Sequence, residues 1–138
     1  MKVNNYPVKL PAAGDRLFGS DSNGDQVQFD MSNFSSTTYK VYTALLTQTS
    51  TNAPVAIVLE NTIGNIVWAR DTTGEYLATL LGAFTNNKTY LMINQTSSGE
   101  NTFSVSDVDR LSLITYNSSG AAQDNKLNKT SIEIRVYN

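Results

Sequence analysis

At 138 residues, 40% apolar and 16% charged, the chain reads as one folded domain with a single core and at most a small appendage. A net charge of −2 denies it the positive field that non-specific nucleic-acid binding needs. The absence of Cys and His removes disulfides, thiolate nucleophiles, zinc sites, the commonest general base and any Ser-His-Asp triad. Charged residues fall below the usual quarter, and Ser, Thr and Asn fill the gap at roughly a third of the chain. That balance suits an extracellular or particle-bound β protein with many turns. No apolar stretch reaches the ~18 residues a membrane helix needs. The opening "MKVNNYPVKLPAAGD" lacks the apolar run of a Sec-type signal peptide.

That opening carries two of the three prolines and reads as an extended arm. "RLFGSDSNGDQVQFDMSNF" then reads as two short strands around a turn, with Asn23-Gly24 as the turn. Asp21, Asn23 and Asp25 alternate like the first ligands of a calcium loop. Counted from Asp21, however, Gln26 stands where the loop needs Gly, and Ser32 where it needs Glu. The hairpin is therefore preferred, and no metal site is expected. "SSTT" (Ser35 to Thr38) reads as a linker, so residues 1–38 form an arm and hairpin and residues 39–138 a second domain. A lone hairpin cannot bury its own core. Leu17, Phe18, Val27, Phe29, Met31 and Phe34 are therefore the candidates for contact with sister copies, another protein or the second domain.

From Tyr39 onward the pattern is strand-like nearly throughout. "YKVYTALLTQ" (Tyr39 to Gln48) is aromatic and β-branched, and "APVAIVLENT" (Ala53 to Thr62) reads as a buried strand. "GNIVWARD" (Gly64 to Asp71), "GEYLATLLG" (Gly74 to Gly82) and "KTYLMINQT" (Lys88 to Thr96) follow. "SVSDVDRL" (Ser104 to Leu111) reads as a short helical turn capped by Ser104 or Ser106, leading into "DRLSLITYN" (Asp109 to Asn117). "AAQDNKLNKT" is the one long gap and reads as a mobile loop. In "TSIEIRVYN" (Thr130 to Asn138), Ile132, Ile134 and Val136 face one way and Glu133, Arg135 and Tyr137 the other. Strands at about ten-residue spacing, joined by Asn, Ser, Thr and Gly turns, predict an all-β fold: an antiparallel, jelly-roll-like β-sandwich behind the arm and hairpin.

No local pattern marks a catalytic pair. Asp107, Asp109, Glu60 and Glu75 are the carboxylates a glycosidase would draw on, and they read as solvated charges. No catalytic residue, cofactor or metal is expected, and the chain is not read as an enzyme. Trp68 has apolar neighbours on its own strand. It reads as core before ligand surface, and it is the first residue to test for glycan contact.

"LPAAGDRLFGSDSNGDQVQFDMSNF" (Leu10 to Phe34) resembles the virion-proximal segments of short fibre proteins of tailed bacteriophages. Such segments run Leu-Pro, small residues, Gly-Asp, strand, turn, strand. The region from Tyr39, including "YKVYTALLTQTSTNAPVAIVLENTIGNIVWAR", "GEYLATLLGAFTNNKTYLMI" and "SIEIRVYN", resembles a domain of phages and prophages of Bacteroidetes, crAss-like phages among them. Together the two resemblances span nearly the whole chain. They imply a virion structural protein, a homotrimeric head fibre or capsid decoration protein. It would be assembled in the host bacterial cytoplasm and exposed on the particle. The N-terminal segment would dock on the capsid or another virion protein, and the β domain would project outward. The short chain lacks the repeats of a tail-fibre shaft. A host or mucosal glycan is the further partner weighed for the outer domain, as in a tail fibre or adhesin. Nucleic acid and membrane are not expected partners.

Overall fold

A computed structural model describes residues 16–30, 38–94 and 100–138. The chain divides into two compact units, Met1–Thr37 and Thr38–Asn138.

In the first unit, β1 (Arg16–Ser20) pairs antiparallel with β2 (Gln26–Asp30). The connection is not a two-residue Asn-Gly turn. Asp21 N–H donates to Asp25 O at 2.9 Å and Gly24 N–H to Asp21 O at 3.1 Å, leaving a three-residue loop of Ser22, Asn23 and Gly24. Gly24 takes φ +88°, the left-handed corner such a loop requires. The Asp21 carboxylate accepts the backbone N–H of Asn23 at 2.9 Å and of Asp25 at 3.0 Å. The acid that resembled a calcium ligand thus braces its own loop.

Among its described residues the second unit holds eight strands: β3 (Tyr39–Thr47), β4 (Val55–Asn61), β5 (Val67–Thr72), β6 (Glu75–Thr79), β7 (Thr89–Ile93), β8 (Asn101–Asp107), β9 (Arg110–Thr115) and β10 (Thr130–Tyr137). They form two four-stranded antiparallel sheets, ordered β4-β3-β10-β7 and β5-β6-β9-β8. The sheets pack face to face, and the fold is an all-β sandwich.

The period-2 alternation of strands explains the core. Tyr42, Ala44 and Leu46 of β3 and Ile132 and Ile134 of β10 point inward from one sheet. Tyr76 and Ala78 of β6 and Leu111 and Leu113 of β9 meet them from the other. Phe84 and Leu127, from the connecting segments, are buried in the same cluster. Each such Leu, Ile or Phe contributes roughly 1.5–3 kcal/mol through burial.

Three sequence expectations are corrected. Val55–Asn61 is not a buried strand: it lies at the edge of its sheet, and nearly all of it is exposed. Its continuous apolar run imitates a strand covered on both faces. Residues 104–111 hold no helical turn. They form the β8–β9 hairpin, in which Asp107 Oδ1 accepts the Asp109 N–H at 2.9 Å. The same local side-chain bonding that caps helices here closes a strand turn.

The segment from Ala121 to Thr130 is not loose. Gln123 N–H donates to Thr115 O at 2.9 Å and Gln48 N–H to Leu127 O at 3.0 Å. Asn125 exchanges side-chain bonds with the β3–β4 turn: its N–H donates to Gln48 Oε1, and its Oδ1 accepts from Ser50 N–H, both at 2.6 Å. A buried leucine and these bonds replace regular structure as the anchor.

Candidate functional site

The inward alternation of β3 and β10 fixes what their sheet turns outward. Leu45 of β3 lies between Ile57 of β4 and Ser131 of β10, and Thr43 lies between Glu60 and Glu133. Glu133 and Arg135 stand opposite Met92 and Tyr90 of β7. The β4 register shifts between Thr43 and Ala44, which leaves Leu59 as the extra residue of a bulge. Leu59, Thr43, Met92, Ser131 and Glu133 line a shallow groove of about 560 Å³ with Ala44 and Ile93 at its floor.

This face has an aliphatic end and an aromatic end. At the aliphatic end Val55 is 67% exposed, Ile57 53% and Leu59 64%. At the aromatic end the rings of Tyr39 and Tyr137 lie 5.3 Å apart. The Arg135 guanidinium sits 4.8 Å from the Tyr39 ring centre and 5.8 Å from that of Tyr90. Arg135 also pairs with Glu133. The face therefore carries three charges, Glu60, Glu133 and Arg135, and two of them neutralise each other.

The densest polar cluster lies elsewhere, where the 116–129 connection meets the β5–β6 hairpin. Asp124 accepts from Arg70 Nη2 at 2.8 Å, from Gly74 N–H at 2.9 Å and from the Tyr76 hydroxyl at 3.1 Å. Arg70 Nε adds bonds of 3.2 Å to both carboxylate oxygens. Arg70, followed by the Gly74 amide and the Tyr76 hydroxyl, holds the Asp124 carboxyl down at about 2. Burial foremost pushes the Tyr76 phenol up to about 12. Every group here is consumed by another, and neither acid nor phenol titrates near neutrality. That is a structural corner, not a proton-transfer site.

The four candidate carboxylates stand on the β8–β9 hairpin and on two different sheets. Asp107 bonds Arg110 through Oδ2 at 2.7 and 2.8 Å, and chiefly for that reason its carboxyl titrates below the usual range. Asp109 Oδ1 accepts the Gly82 N–H at 2.7 Å. Glu60 is on β4 of one sheet, and Glu75 on β6 of the other. Among the described residues no group of three or more Asp or Glu is placed to hold a metal ion.

Trp68 is half-buried, packed against the core with its ring centre 6.4 Å from that of Phe103. It belongs to the β5-β6-β9-β8 sheet, whereas the exposed Tyr90 and Tyr137 belong to the other. In the hairpin, register pairs Leu17 with Phe29, Phe18 with Gln28 and Gly19 with Val27. Phe18 is 74% exposed and stands on the opposite face of the ribbon from Val27, so those two do not form one contact patch. Met31 and Phe34 lie outside the described residues.

Nothing local in the sequence distinguishes Tyr39 and Tyr90 from the other strand tyrosines, whose strand propensity points to core or interface, or shows the aliphatic end of β4 to be exposed. The alternation of Ile132, Ile134 and Val136 did place Glu133, Arg135 and Tyr137 on the outward face. The chain matches no protein-family model, no curated protein and no solved structure.

Proposed function

We propose that the chain is a structural protein of a tailed-phage virion, a homotrimeric head fibre or capsid decoration protein. In this reading the N-terminal segment attaches it and the sandwich projects outward. The observation that carries the reading is the unequal division of the chain. The first unit contributes, among its described residues, only a two-stranded hairpin, which is too small to be stable alone. The second unit owns a complete core. A segment that needs a host surface, joined to a domain that needs none, is the layout of an anchor and a projection. The resemblance of Leu10 to Phe34 to virion-proximal fibre segments supports the same assignment. Immunogold labelling of particles from the phage that encodes the chain tests it. Labelling at the capsid surface is expected. A chain found only in the soluble lysate, never on purified particles, contradicts it.

A second reading, a glycan-binding sandwich of a tail fibre or adhesin, is favoured by the aromatic end of the outward face. Tyr90 and Tyr137 are exposed, and Arg135 and Glu133 beside them supply hydrogen-bond partners for sugar hydroxyls. Retention on a glycan array that Tyr90→Ala abolishes, while Trp68 fluorescence stays unchanged on binding, would select this reading over one centred on Trp68.

A further inference from the structure

We propose that the aliphatic end of the outward β4-β3-β10-β7 face, with the open edge of β4, is the surface on which a second copy of this chain docks. The inference deepens the homo-oligomer part of the proposed function and rests on it; it says which surface carries the assembly.

The first argument is the mismatch between sequence and environment. Val55 to Leu59 is five apolar residues in a row, the composition of a strand covered on both faces. Among the described residues it is an edge with β3 on one side only. Edges that must stay solitary are guarded by lysine, proline, an inward charge or a bulge. Within Val55–Asn61 there is no lysine or proline, and the one charge, Glu60, and the bulge at Leu59 both lie toward its C-terminal end, which leaves Val55 to Val58 unguarded.

The second argument is area. Of the eleven exposed large apolar side chains among the described residues, six stand on this face: Val55, Ile57 and Leu59 of β4, with Tyr90, Met92 and Tyr137; Val58, opposite Ala44, is on the other. Each is about half exposed. With an aromatic side chain contributing roughly 150–250 Å² when fully covered and an aliphatic one less, the face, both ends together, offers on the order of 500 Å² of apolar surface. That is in the upper part of the ~300–600 Å² range for the largest patch on an ordinary monomer and more than half of the ~800 Å² per partner of a standard interface.

The third argument is charge. A surface that meets its own copy meets its own charges. Here Glu133 and Arg135 cancel within one chain, leaving Glu60 as the one outward charge within these four strands not so neutralised. Like-charge repulsion between copies is accordingly small.

The experiment uses the full chain. Molar mass is measured by light scattering across a concentration series for the wild type, Ile57→Lys, Met92→Lys and Leu59→Ser, with Leu81→Lys as control. Leu81 is 86% exposed and lies in the turn that follows β6, a strand of the other sheet. Wild type and control are expected to assemble alike. A lysine at Ile57 or Met92 is expected to weaken assembly at least ~10-fold, as the loss of a central apolar contact does. Leu59→Ser, a milder change, carries the test should a lysine variant fail to fold. Assembly of all three variants like the control would overturn the β4 contact and leave a homo-oligomer built through the N-terminal unit. A wild type that stays monomeric at micromolar concentration would overturn both.

Discussion

The Asp124 corner and the outward face of β4 teach opposite lessons. The corner is chemically dense: a guanidinium, a phenol and a backbone amide each lie within 3.2 Å of one carboxylate. Yet both carboxylate oxygens, the phenol hydroxyl and the amide are already engaged there. The β4 face is chemically bland, with aliphatic side chains around one self-neutralised ion pair. It is the face whose physical requirements one chain leaves unmet. Polar groups in a folded protein are usually satisfied internally, so their clustering often reports stability. Exposed contiguous apolar surface costs free energy until something covers it, so it reports a partner.

The comparison breaks if the corner proves dispensable. Gly74 holds φ +70°, and a Cβ there would lie 2.3 Å from Gln123 N and 2.8 Å from Thr115 O, both backbone atoms. Gly74→Ala is expected to cost roughly 4 kcal/mol, the range reserved for steric conflicts that side chains cannot relieve. Chemical denaturation measures this, and a loss under ~1 kcal/mol would mean the corner yields easily. Asp124→Ala, which strips the Gly74 amide and the Tyr76 hydroxyl of their acceptor, is expected to destabilise the fold by less than Gly74→Ala in the same assay.

Acid sharpens the same contrast. The folded state holds Asp124 at about 2, below its unfolded value near 3.9. The stability it contributes is therefore complete above that unfolded value and is lost as pH falls through about 2. Denaturation midpoints of the wild type should decline across that window more steeply than those of Asp124→Asn. Parallel profiles would show that the corner is not electrostatically held. The smallest expected effect belongs to the other region. Ile57→Lys should change the stability of the isolated fold by no more than ~0.5 kcal/mol, because the side chain is exposed. Thermal melting of the monomeric variant checks this, and a large loss would mean that Ile57 is core after all.

Much of the fold was legible in the residues. The alternation of β10 and of β6 named their inward faces, because a strand half in water must alternate. The hairpin of β1 and β2 was announced by Asn23-Gly24, although the loop closes one residue longer through Asp21. The place of β4 was not legible. A continuous apolar run does not say whether its cover comes from the same chain or from another. The Asp124 corner was equally hidden, since Arg70 and Asp124 are 54 positions apart and no local spacing joins them. The order expected of "SVSDVDRL" failed for a third reason: Ser and Asp serve helix caps and strand turns by the same hydrogen bonds.

The most direct test is the mass of the intact chain in solution. One chain weighs 15.1 kDa. The account predicts a multiple of that mass at micromolar concentration, reduced toward a single chain by Ile57→Lys and left intact by Leu81→Lys. A wild-type species of one chain, unchanged as concentration rises, would contradict it.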